Sequence, residues 1–298
     1  MFTRRLLDRV SGRLMLLSAI FSSLIVFFIG FALFQKSLPI LTTHSLGELL
    51  LSSSWQPWKG EFGFYPFIVG SLSVTALAMA ISIPPSLLMS IYIAEYAPAR
   101  IRGLVKPMVD LLAGIPSVVY GLWGVLLVVP LIRNQVAPLV GVATTGYTVL
   151  AGGIVLALMV FPVIISISDE VIRGVPYESR EASMALGATK WQTVKHVVVR
   201  SALPGIMAAI ILGFGRAFGE TMAVLMVVGN VPRVPSSVFD PAYPIPALIA
   251  NNYGEMMSIP FYDSALMLAA LLLLLIVLFF SALAGFILVR VKRRYTIE

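Results

Sequence analysis

The stretch LPGIMAAIILGFGRAFGETMAVLMVV, residues 203–228, is a long apolar run interrupted by two charged residues, Arg216 and Glu220. About 20 apolar residues in a helix cross the roughly 30 Å hydrocarbon core of a bilayer, so the run predicts a membrane span. A charge near the centre of a span costs about 2.5–3.5 kcal/mol on insertion scales. Arg216 falls near the midpoint, and we therefore expect both charges to face the interior of a helix bundle.

The spacing of the two charges places them on one face of a continuous helix, because residues four apart are neighbours there. An ion pair would lower the cost of both charges, although arginine before glutamate is the less favourable order. Gly215 and Gly219 predict that a second helix approaches this face closely. A pair that only holds the bundle together is one interpretation, and a functional charge is the other.

The rest of the chain has the composition of a helical membrane protein. Of its 298 residues, 59% are hydrophobic and 12% are charged, whereas soluble domains carry about 25% charged residues. The mean hydropathy is +0.96. Six apolar runs are long enough to cross a bilayer, at residues 14–34, 66–94, 111–132, 148–168, 203–228 and 264–289. The fold class expected is an all-α polytopic membrane protein with six transmembrane helices.

The basic residues predict the orientation of the chain. Sixteen of the 21 lysine and arginine residues lie in segments on one side of the six runs and four on the other. Cytoplasmic loops carry the excess of positive charge, so both termini are expected in the cytoplasm. The first run resembles a secretory signal, but it is longer than the usual ~7–15 residues and no cleavage site follows. We therefore expect an uncleaved helix and contact of the basic segments with membrane lipid.

Several classes of function are excluded by what the sequence lacks. It has no cysteine, and its two histidines, His44 and His196, fall on opposite sides of the predicted membrane. We expect no metal site, no cofactor and no catalytic centre, so the chain is not predicted to be an enzyme. It also contains no G-x-x-x-x-G-K-[ST] phosphate loop, so ATP hydrolysis would need a partner subunit. Its basic residues form no stripe interleaved with aromatics, which argues against nucleic-acid binding.

The fourth loop, DEVIRGVPYESREASMALGATKWQTVKHVVVRSALPG (169–205), predicts a capped helical hairpin. Pro176 suits the first turn of a helix, and Gly187 suits the left-handed residue that ends one. Thr189 and Gln192 form a capping box that opens a second helix. Such a hairpin between two spans suits docking of a cytosolic partner, and an amphipathic hairpin on the lipid surface is the alternative.

The hairpin resembles the EAA loop of ABC importer permeases, in which two short helices insert into an ATP-binding subunit. Glu181-Ala182-Ser183, followed after three residues by Gly187, matches the core of that pattern. Ser183 replaces an alanine, and the later proline of the pattern is missing at Arg200. The resemblance implies that the ATPase-coupling residues are Glu178, Glu181, Ala182, Ser183, Gly187 and Ala188.

Three further stretches narrow the resemblance: IYIAEYAP (91–98), LLAGIPSVVYG (111–121) and GFGRAFGETMAVLMVVGN (213–230). In this order they resemble the PstC-type permeases of phosphate-specific importers. The resemblance implies a MetI-like, type I importer core of five helices plus one N-terminal helix. It also implies three kinds of partner: a PstA-type second permease, a dimer of PstB-type ATP-binding subunits and an external PstS-type phosphate-binding protein.

The domain organisation that follows has three parts. Residues 1–65 hold the basic N-terminus, the first helix and an outer loop. Residues 66–290 form the permease domain, with the coupling loop at 169–202, and 291–298 form a cytoplasmic tail. The outer segments 35–65 and 229–263 are long. The second is rich in proline and is expected to be a stiff, irregular surface.

The resemblance to phosphate permeases gives Arg216 a specific role. A guanidinium stays charged and its fork matches phosphate oxygens, so Arg216 is expected to meet the transported anion. Glu220 would neutralise Arg216 when no anion is present and keep binding weak, as a pathway requires. Other polar residues on or near this path are also candidates: Thr221, Asn230, Ser117 and Tyr120.

Three alternative functions remain open from the sequence alone. A permease for another oxyanion, such as sulfate or molybdate, would use the same chemistry. A proton-coupled secondary transporter would use Glu220 as a relay, but it predicts inverted repeats that the sequence does not suggest. A membrane scaffold or channel would need no ATPase partner.

Overall fold

A computed structural model describes residues 2–255 and 258–295, with side chains described for 11–255 and 258–290. The basic side chains of Arg4, Arg5 and Arg9 and those of the predicted tail at 291–298 lie outside the described residues. Helices account for most of the described chain. In order they are α1 (Phe2–Thr43), α2 (Leu46–Leu51), α3 (Tyr65–Tyr96), α4 (Ala99–Gly114), α5 (Ser117–Leu139), α6 (Val149–Arg173), α7 (Tyr177–Ala185), α8 (Lys190–Phe218), α9 (Met222–Val227), α10 (Ile245–Asn252) and α11 (Tyr262–Tyr295).

Six of these helices are long and apolar enough to cross a membrane, namely α1, α3, α5, α6, α8 and α11. The predicted number of six spans is therefore confirmed. Pro84, Pro85 and Pro162 lie inside α3 and α6. Three of the spans contain π-helical turns, at Tyr92–Tyr96 in α3, at Gly124–Val128 and Ile132–Val136 in α5 and at Val194–Val198 in α8.

The centre of the molecule is a bundle in which α6 packs against both α3 and α8. Small residues allow the close approach, since a side chain on Gly153 would meet Leu77 and one on Gly205 would meet Val171. Apolar side chains such as Val160 and Ile164 are completely buried between these helices. Helix–helix packing in lipid depends on such small residues because lipid provides no hydrophobic drive for association.

A second core lies at the predicted outer end of the bundle. Phe64 and Tyr262 are buried there together with Tyr243 from the proline-rich segment. A two-stranded antiparallel hairpin of β1 (Trp55–Gln56) and β2 (Glu61–Phe62) packs onto this core. The first helix α1 runs alongside α11, and most of its apolar side chains from residue 14 to 34 are exposed, as suits a lipid-facing helix.

The proline-rich outer segment 229–263 is only partly the irregular surface that its composition predicts. Helix α10 lies within it, and Ile245 and Leu248 of this helix are completely buried. The exposed part is ordered by Asp240, whose carboxylate accepts hydrogen bonds from the Ser236 hydroxyl at 2.7 Å and from the backbone N–H of Ser237 at 2.8 Å. The Ser236 hydroxyl bond holds the pKa of Asp240 below its usual value. The segment is therefore a built part of the fold.

The third predicted span, which was expected to start at residue 111, begins later in the structure. Helix α4 ends at Gly114, Ile115 is extended with ψ 129°, and α5 begins at Ser117. Pro116 separates the two helices. The ring of a proline disfavours helical backbone in the residue before it, which accounts for the extended Ile115.

The fifth predicted span, 203–228, is wrong at both ends. The membrane helix α8 starts at Lys190, so the second helix of the predicted hairpin is continuous with the span and not a separate short element. Pro204 lies inside it. At the other end α8 stops at Phe218, and a separate helix α9 begins at Met222. Arg216 is therefore in the last turn of a helix and not at the midpoint of one.

Candidate functional site

The break between α8 and α9 explains how the chain accommodates Arg216 and Glu220. A helix carries partial negative charge at its C-terminus and partial positive charge at its N-terminus. Arg216 lies in the last turn of α8. Glu220 lies just before α9, and its carboxylate accepts a hydrogen bond from the Ala223 backbone N–H at 3.3 Å. Each charge therefore sits at the helix end that favours it.

The predicted ion pair between Arg216 and Glu220 is not formed, since no nitrogen of the arginine lies within 4.0 Å of a carboxylate oxygen of Glu220. Because the helix breaks between the two residues, their four-residue separation no longer places them on one helical face. Glu220 is half-buried and borders a small cavity beside Thr75 and Val224, whereas Arg216 is exposed on the surface of the chain.

The surface around Arg216 is open within this chain. A side chain added at Gly215 would meet no atom within 4 Å, and one at Gly219 would meet only a backbone oxygen of its own turn. The close helix contact predicted for these glycines is therefore not made inside the chain. Gly213 does make such a contact, because an added side chain would lie 2.9 Å from Ile164 of α6.

Tyr120 and Ser117 lie on the neighbouring helix α5. The Tyr120 side chain is buried, its hydroxyl donates to the Leu112 carbonyl at 2.8 Å, and its ring lies within electrostatic reach of Arg216. Ser117 is half-buried at the first position of α5. The structure therefore brings two predicted site residues, Arg216 and Tyr120, into one neighbourhood. Thr221 lies at the break itself, where its hydroxyl donates to the Gly219 carbonyl at 3.4 Å.

Asn230 belongs to a different part of the molecule, at the far end of α9. Its backbone is left-handed with φ 52°, and its amide nitrogen donates to the Leu225 carbonyl at 2.9 Å. It lines a cavity of about 660 Å³ together with Arg133, Thr145 and Tyr147. No acidic side chain lines this cavity, so Arg133 makes it positively charged. Arg133 was not a predicted site residue, because nothing in its sequence surroundings sets it apart from other loop cations.

The capped hairpin is confirmed. Helix α7 ends at Ala185, Gly187 adopts the left-handed conformation with φ 88°, and Thr189 and Gln192 form both hydrogen bonds of a capping box. Pro176 lies one residue before the helix and not in its first turn. The two arms of the hairpin are joined by a hydrogen bond of 2.9 Å between the Ser183 and Thr193 hydroxyls.

The predicted coupling residues mostly share one exposed surface of this hairpin. Glu178, Glu181, Ala182 and Gly187 are exposed, and the neighbouring Leu186 is 90% exposed. Ala188 and Ser183 are half-buried, since Ser183 faces the other arm. An exposed leucine next to two carboxylates is a surface that a partner can cover.

Sequence analysis missed the contact that fixes the inner face of the hairpin. Arg180 of α7 donates to the Glu95 carboxylate at the end of α3, with nitrogen–oxygen distances of 2.7 and 3.1 Å. Both side chains are close to 90% buried. The two residues are 85 positions apart, and neither lies in a pattern that pairs them, so the sequence holds no signal for this contact.

The chain matches known transport proteins over most of its length. Residues 86–296 match the family described as binding-protein-dependent transport system inner membrane component. A probable ABC transporter permease, YqgH of Bacillus subtilis, is 40% identical over 84% of this chain and 81% of its own length. The phosphate transport system permease PstC of Mesorhizobium japonicum is 33% identical over 89% of this chain and 85% of its own length.

The fold is also similar to that of a solved transporter subunit. A chain of the MetNI methionine ABC transporter in an inward-facing conformation superposes with a TM-score of 0.59 at 18% identity. The match covers 80% of this chain and 99% of that chain. The MetI-like permease fold expected from the sequence is thereby confirmed.

The contact between the Ser183 and Thr193 hydroxyls predicts that a Ser183→Cys, Thr193→Cys variant forms a disulfide on mild oxidation. The two oxygens are 2.9 Å apart, so the Cβ atoms lie near the separation of about 3.5–4.5 Å that a disulfide needs. The chain has no cysteine of its own, so unreduced peptide mapping by mass spectrometry reads the cross-link without background. Ala182→Cys with Thr193→Cys is the control, because Ala182 faces outward. Equal cross-linking of both pairs would contradict the hairpin geometry.

Proposed function

We propose that this chain, which belongs to the family of binding-protein-dependent transport system inner membrane components and within it to the PstC-type permeases, is a membrane subunit of an ATP-driven importer of inorganic phosphate. Permeases of this family work with another permease, an ATPase and a binding protein. For this chain we assign these roles to a PstA-type permease, a dimer of PstB-type ATPase subunits and an external PstS-type protein. ATP hydrolysis then belongs to the partners.

The observation that carries the proposal is the exposed guanidinium of Arg216, which is the one charged side chain in the stretch 202–218 of α8. A charge facing lipid at this depth is costly, so its exposed position within one chain requires a wet or protein-lined surface in the assembly. Gly215 and Gly219 leave that surface flat and unobstructed. A second permease across this face would leave a corridor lined on one side by Arg216, with Tyr120, Ser117 and Thr221 close to it.

The helix break keeps Arg216 available to the anion. Because Glu220 is held by the Ala223 backbone N–H and does not pair with Arg216, the carboxylate limits the local positive charge without occupying the guanidinium fork. An anion in the corridor can therefore form two-point hydrogen bonds to Arg216 and still leave, as conduction requires. On the outer side, the cavity of Arg133 and Asn230 is a second positively charged place along α9.

In the proposed orientation, both termini and the α7 hairpin lie in the cytoplasm. Segments that the charge distribution assigns to one side also pack together, since Arg180 of the hairpin meets Glu95 at the end of α3. Phe62 and Tyr243, from the two segments assigned to the outside, share the other core. The exposed side of the hairpin, around Glu181 and Leu186, is then the docking surface for the ATPase.

The substrate is tested with the assembled complex in proteoliposomes that contain ATP and the binding protein. Radiolabelled phosphate should accumulate only with ATP inside, and excess unlabelled sulfate or molybdate should not compete. A fully protein-lined site rejects ligands that leave its hydrogen-bonding groups unpaired. Strong competition by sulfate or molybdate would assign the chain to another oxyanion, and ATP-independent accumulation that follows a pH gradient would favour the secondary transporter.

Replacing Arg216 with Gln should reduce phosphate uptake to the level of protein-free liposomes, because the amide keeps polarity but removes the cation. Assembly of the complex and its ATPase activity should persist, since Arg216 makes no ion pair that holds the described part of the chain together. Arg233→Gln is the matched control, which removes an exposed outer cation remote from the break. Uptake that survives Arg216→Gln would remove Arg216 from the path.

Replacing Glu181 with Lys should uncouple ATP hydrolysis from transport, because it reverses the charge on the exposed docking side of the hairpin. Gly187→Pro should do the same, since proline fixes φ near −65° and the hairpin needs 88° here. The measurement is phosphate transported per ATP hydrolysed. Asp110→Lys, an exposed charge reversal on α4, serves as the control. A normal ratio in both hairpin variants would argue against the docking role.

A further inference from the structure

We propose that Arg180 and Glu95 form the link that carries motion of the α7 hairpin to the helices that line the path. The proposal rests on the proposed function, in which the hairpin receives the ATPase. It goes further by naming positioning residues that face away from the docking surface. Neither residue touches the anion or the ATP-binding subunit in this arrangement.

Arg180 is bound on every side. Besides the two bonds to Glu95, its guanidinium donates to the Ile172 carbonyl at the end of α6, at 2.9 Å, and to the Val175 carbonyl. Its side chain is only 12% exposed and that of Glu95 10%. Buried charges that are paired and hydrogen-bonded in this way resist separation, because parting them leaves an unpaired charge away from water. The hairpin is thereby fastened to the ends of α3 and α6 at one point.

Glu95 lies in the π-helical turn Tyr92–Tyr96, the last turn of α3. The same turn is held from the other side by Arg102 of α4, which donates to the Ile93 and Ala94 carbonyls at 3.2 Å each. Arg180 of α7 and Arg102 of α4 therefore both form hydrogen bonds to the same turn of α3. A displacement of Arg180 reaches α4 through this turn and does not need to pass along the whole length of α3.

Helix α4 leads directly to the helix that borders the path. The Leu112 carbonyl oxygen of α4 accepts a hydrogen bond from the Tyr120 hydroxyl of α5 at 2.8 Å, across the break at Pro116. Tyr120 is within electrostatic reach of Arg216. The contacts thus form an unbroken series from the hairpin through Arg180, Glu95 and Arg102 to α5. Arg180 and Glu95 are the step in that series where the coupling hairpin meets the membrane helices.

The Arg180–Glu95 contact is more than an anchor for the hairpin. The hairpin is already continuous with α8, and its two arms are joined through Ser183 and Thr193. The chain therefore does not need the Arg180–Glu95 contact to hold α7 close to the bundle. What the contact adds is a buried, hydrogen-bonded connection of α7 to α3 and, through the shared turn, to α4. The second arm also meets this turn, because the Lys190 ammonium lies 4.7 Å from the centre of the Tyr96 ring, but both of those residues are exposed. Coupling between sites requires such an element, whose position both sites can bias.

The experiment uses Glu95→Gln, Arg180→Gln and the double variant in the assembled complex. A Ser117→Cys substitution in this cysteine-free chain reports the state of α5, through its rate of labelling by a membrane-impermeant maleimide. Phosphate transport is measured in complexes without this reporter, because Ser117 borders the proposed path. In the parent complex, ATP with vanadate should change that rate. In either single variant the change should be lost, while the ATPase subunits still trap vanadate and hydrolyse ATP. Phosphate moved per ATP should fall about tenfold, within the usual range for coupling between sites.

The double variant should be no worse than Arg180→Gln alone, because the two residues act through one contact. Lys106→Gln, which removes an exposed charge from α4, is the matched control and should leave both readouts unchanged. A merely structural role would lower assembly or ATPase activity together with transport. If Arg180→Gln does not assemble, the milder Glu95→Gln decides the question.

Two results would overturn the link: a normal labelling response to vanadate in assembled Glu95→Gln complexes, or additive losses in the double variant. The labelling readout does not depend on which anion is carried. A parent complex that imports no phosphate but shows the vanadate response would therefore count against the proposed substrate and leave the link standing. A response that is lost in Lys106→Gln as well would also contradict the proposal.

Discussion

The structure depends on the interruption of one membrane helix at Gly219–Thr221. An uninterrupted helix would bury Arg216 and Glu220 as an unfavourably ordered pair, facing one way. The interruption gives each charge its own helix end, a C-terminus for the cation and an N-terminus for the anion. It also turns them apart, so that the carboxylate faces the interior of this chain and the guanidinium faces out of it. The break therefore leaves Arg216 as an exposed cation in the last turn of α8, without an ion pair to Glu220.

The surface around this exposed cation and the α7 hairpin are two places where we propose that other subunits contact the chain. The glycine surface around the cation is open within this chain. The proposed corridor would need a second protein wall there, which fits the membership of the chain in a family of transporter subunits. On the opposite side of the bundle from the outer core, the hairpin shows its carboxylates and leucine outward and its arginine inward. Helix α7 therefore has an exposed face, which we propose as the docking surface for the ATPase, and a buried face that contacts α3.

The large features of the fold could be predicted from the sequence because they depend on local chemistry. Apolar runs gave all six spans, and Gly187, Thr189 and Gln192 gave the hairpin turn and cap, since each acts on its own backbone neighbourhood. The ends of the third and fifth spans could not be read in this way. Hydropathy does not reveal a helix break within an apolar run. Whether the chain continues as a helix through Gly219-Glu220-Thr221 depends on tertiary packing.

The site was predictable to a similar degree. Arg216 and Tyr120 could be found from an out-of-place charge and a family pattern, and the structure places them near each other. The Arg180–Glu95 contact could not, because it joins residues 85 positions apart in two separate stretches, and neither stretch indicates that the other is its partner. Their importance depends on burial, which no single stretch of sequence reports. Arg133 was missed for the same reason.

The π-helical turns determine what happens to a span when the chain loses one residue there. Each turn is one residue wider than an α-helical turn, so removing a residue there restores ordinary helix without breaking it. Because the wider turn has already absorbed that extra residue, the helix beyond the deletion would keep nearly its orientation, whereas a deletion from an ordinary α-helical turn would rotate it by about 100°, the angle that one residue subtends. In α8 the turn at Val194–Val198 lies between the hairpin and Arg216. A single lost codon at that place would therefore preserve both an intact span and the direction in which the guanidinium points.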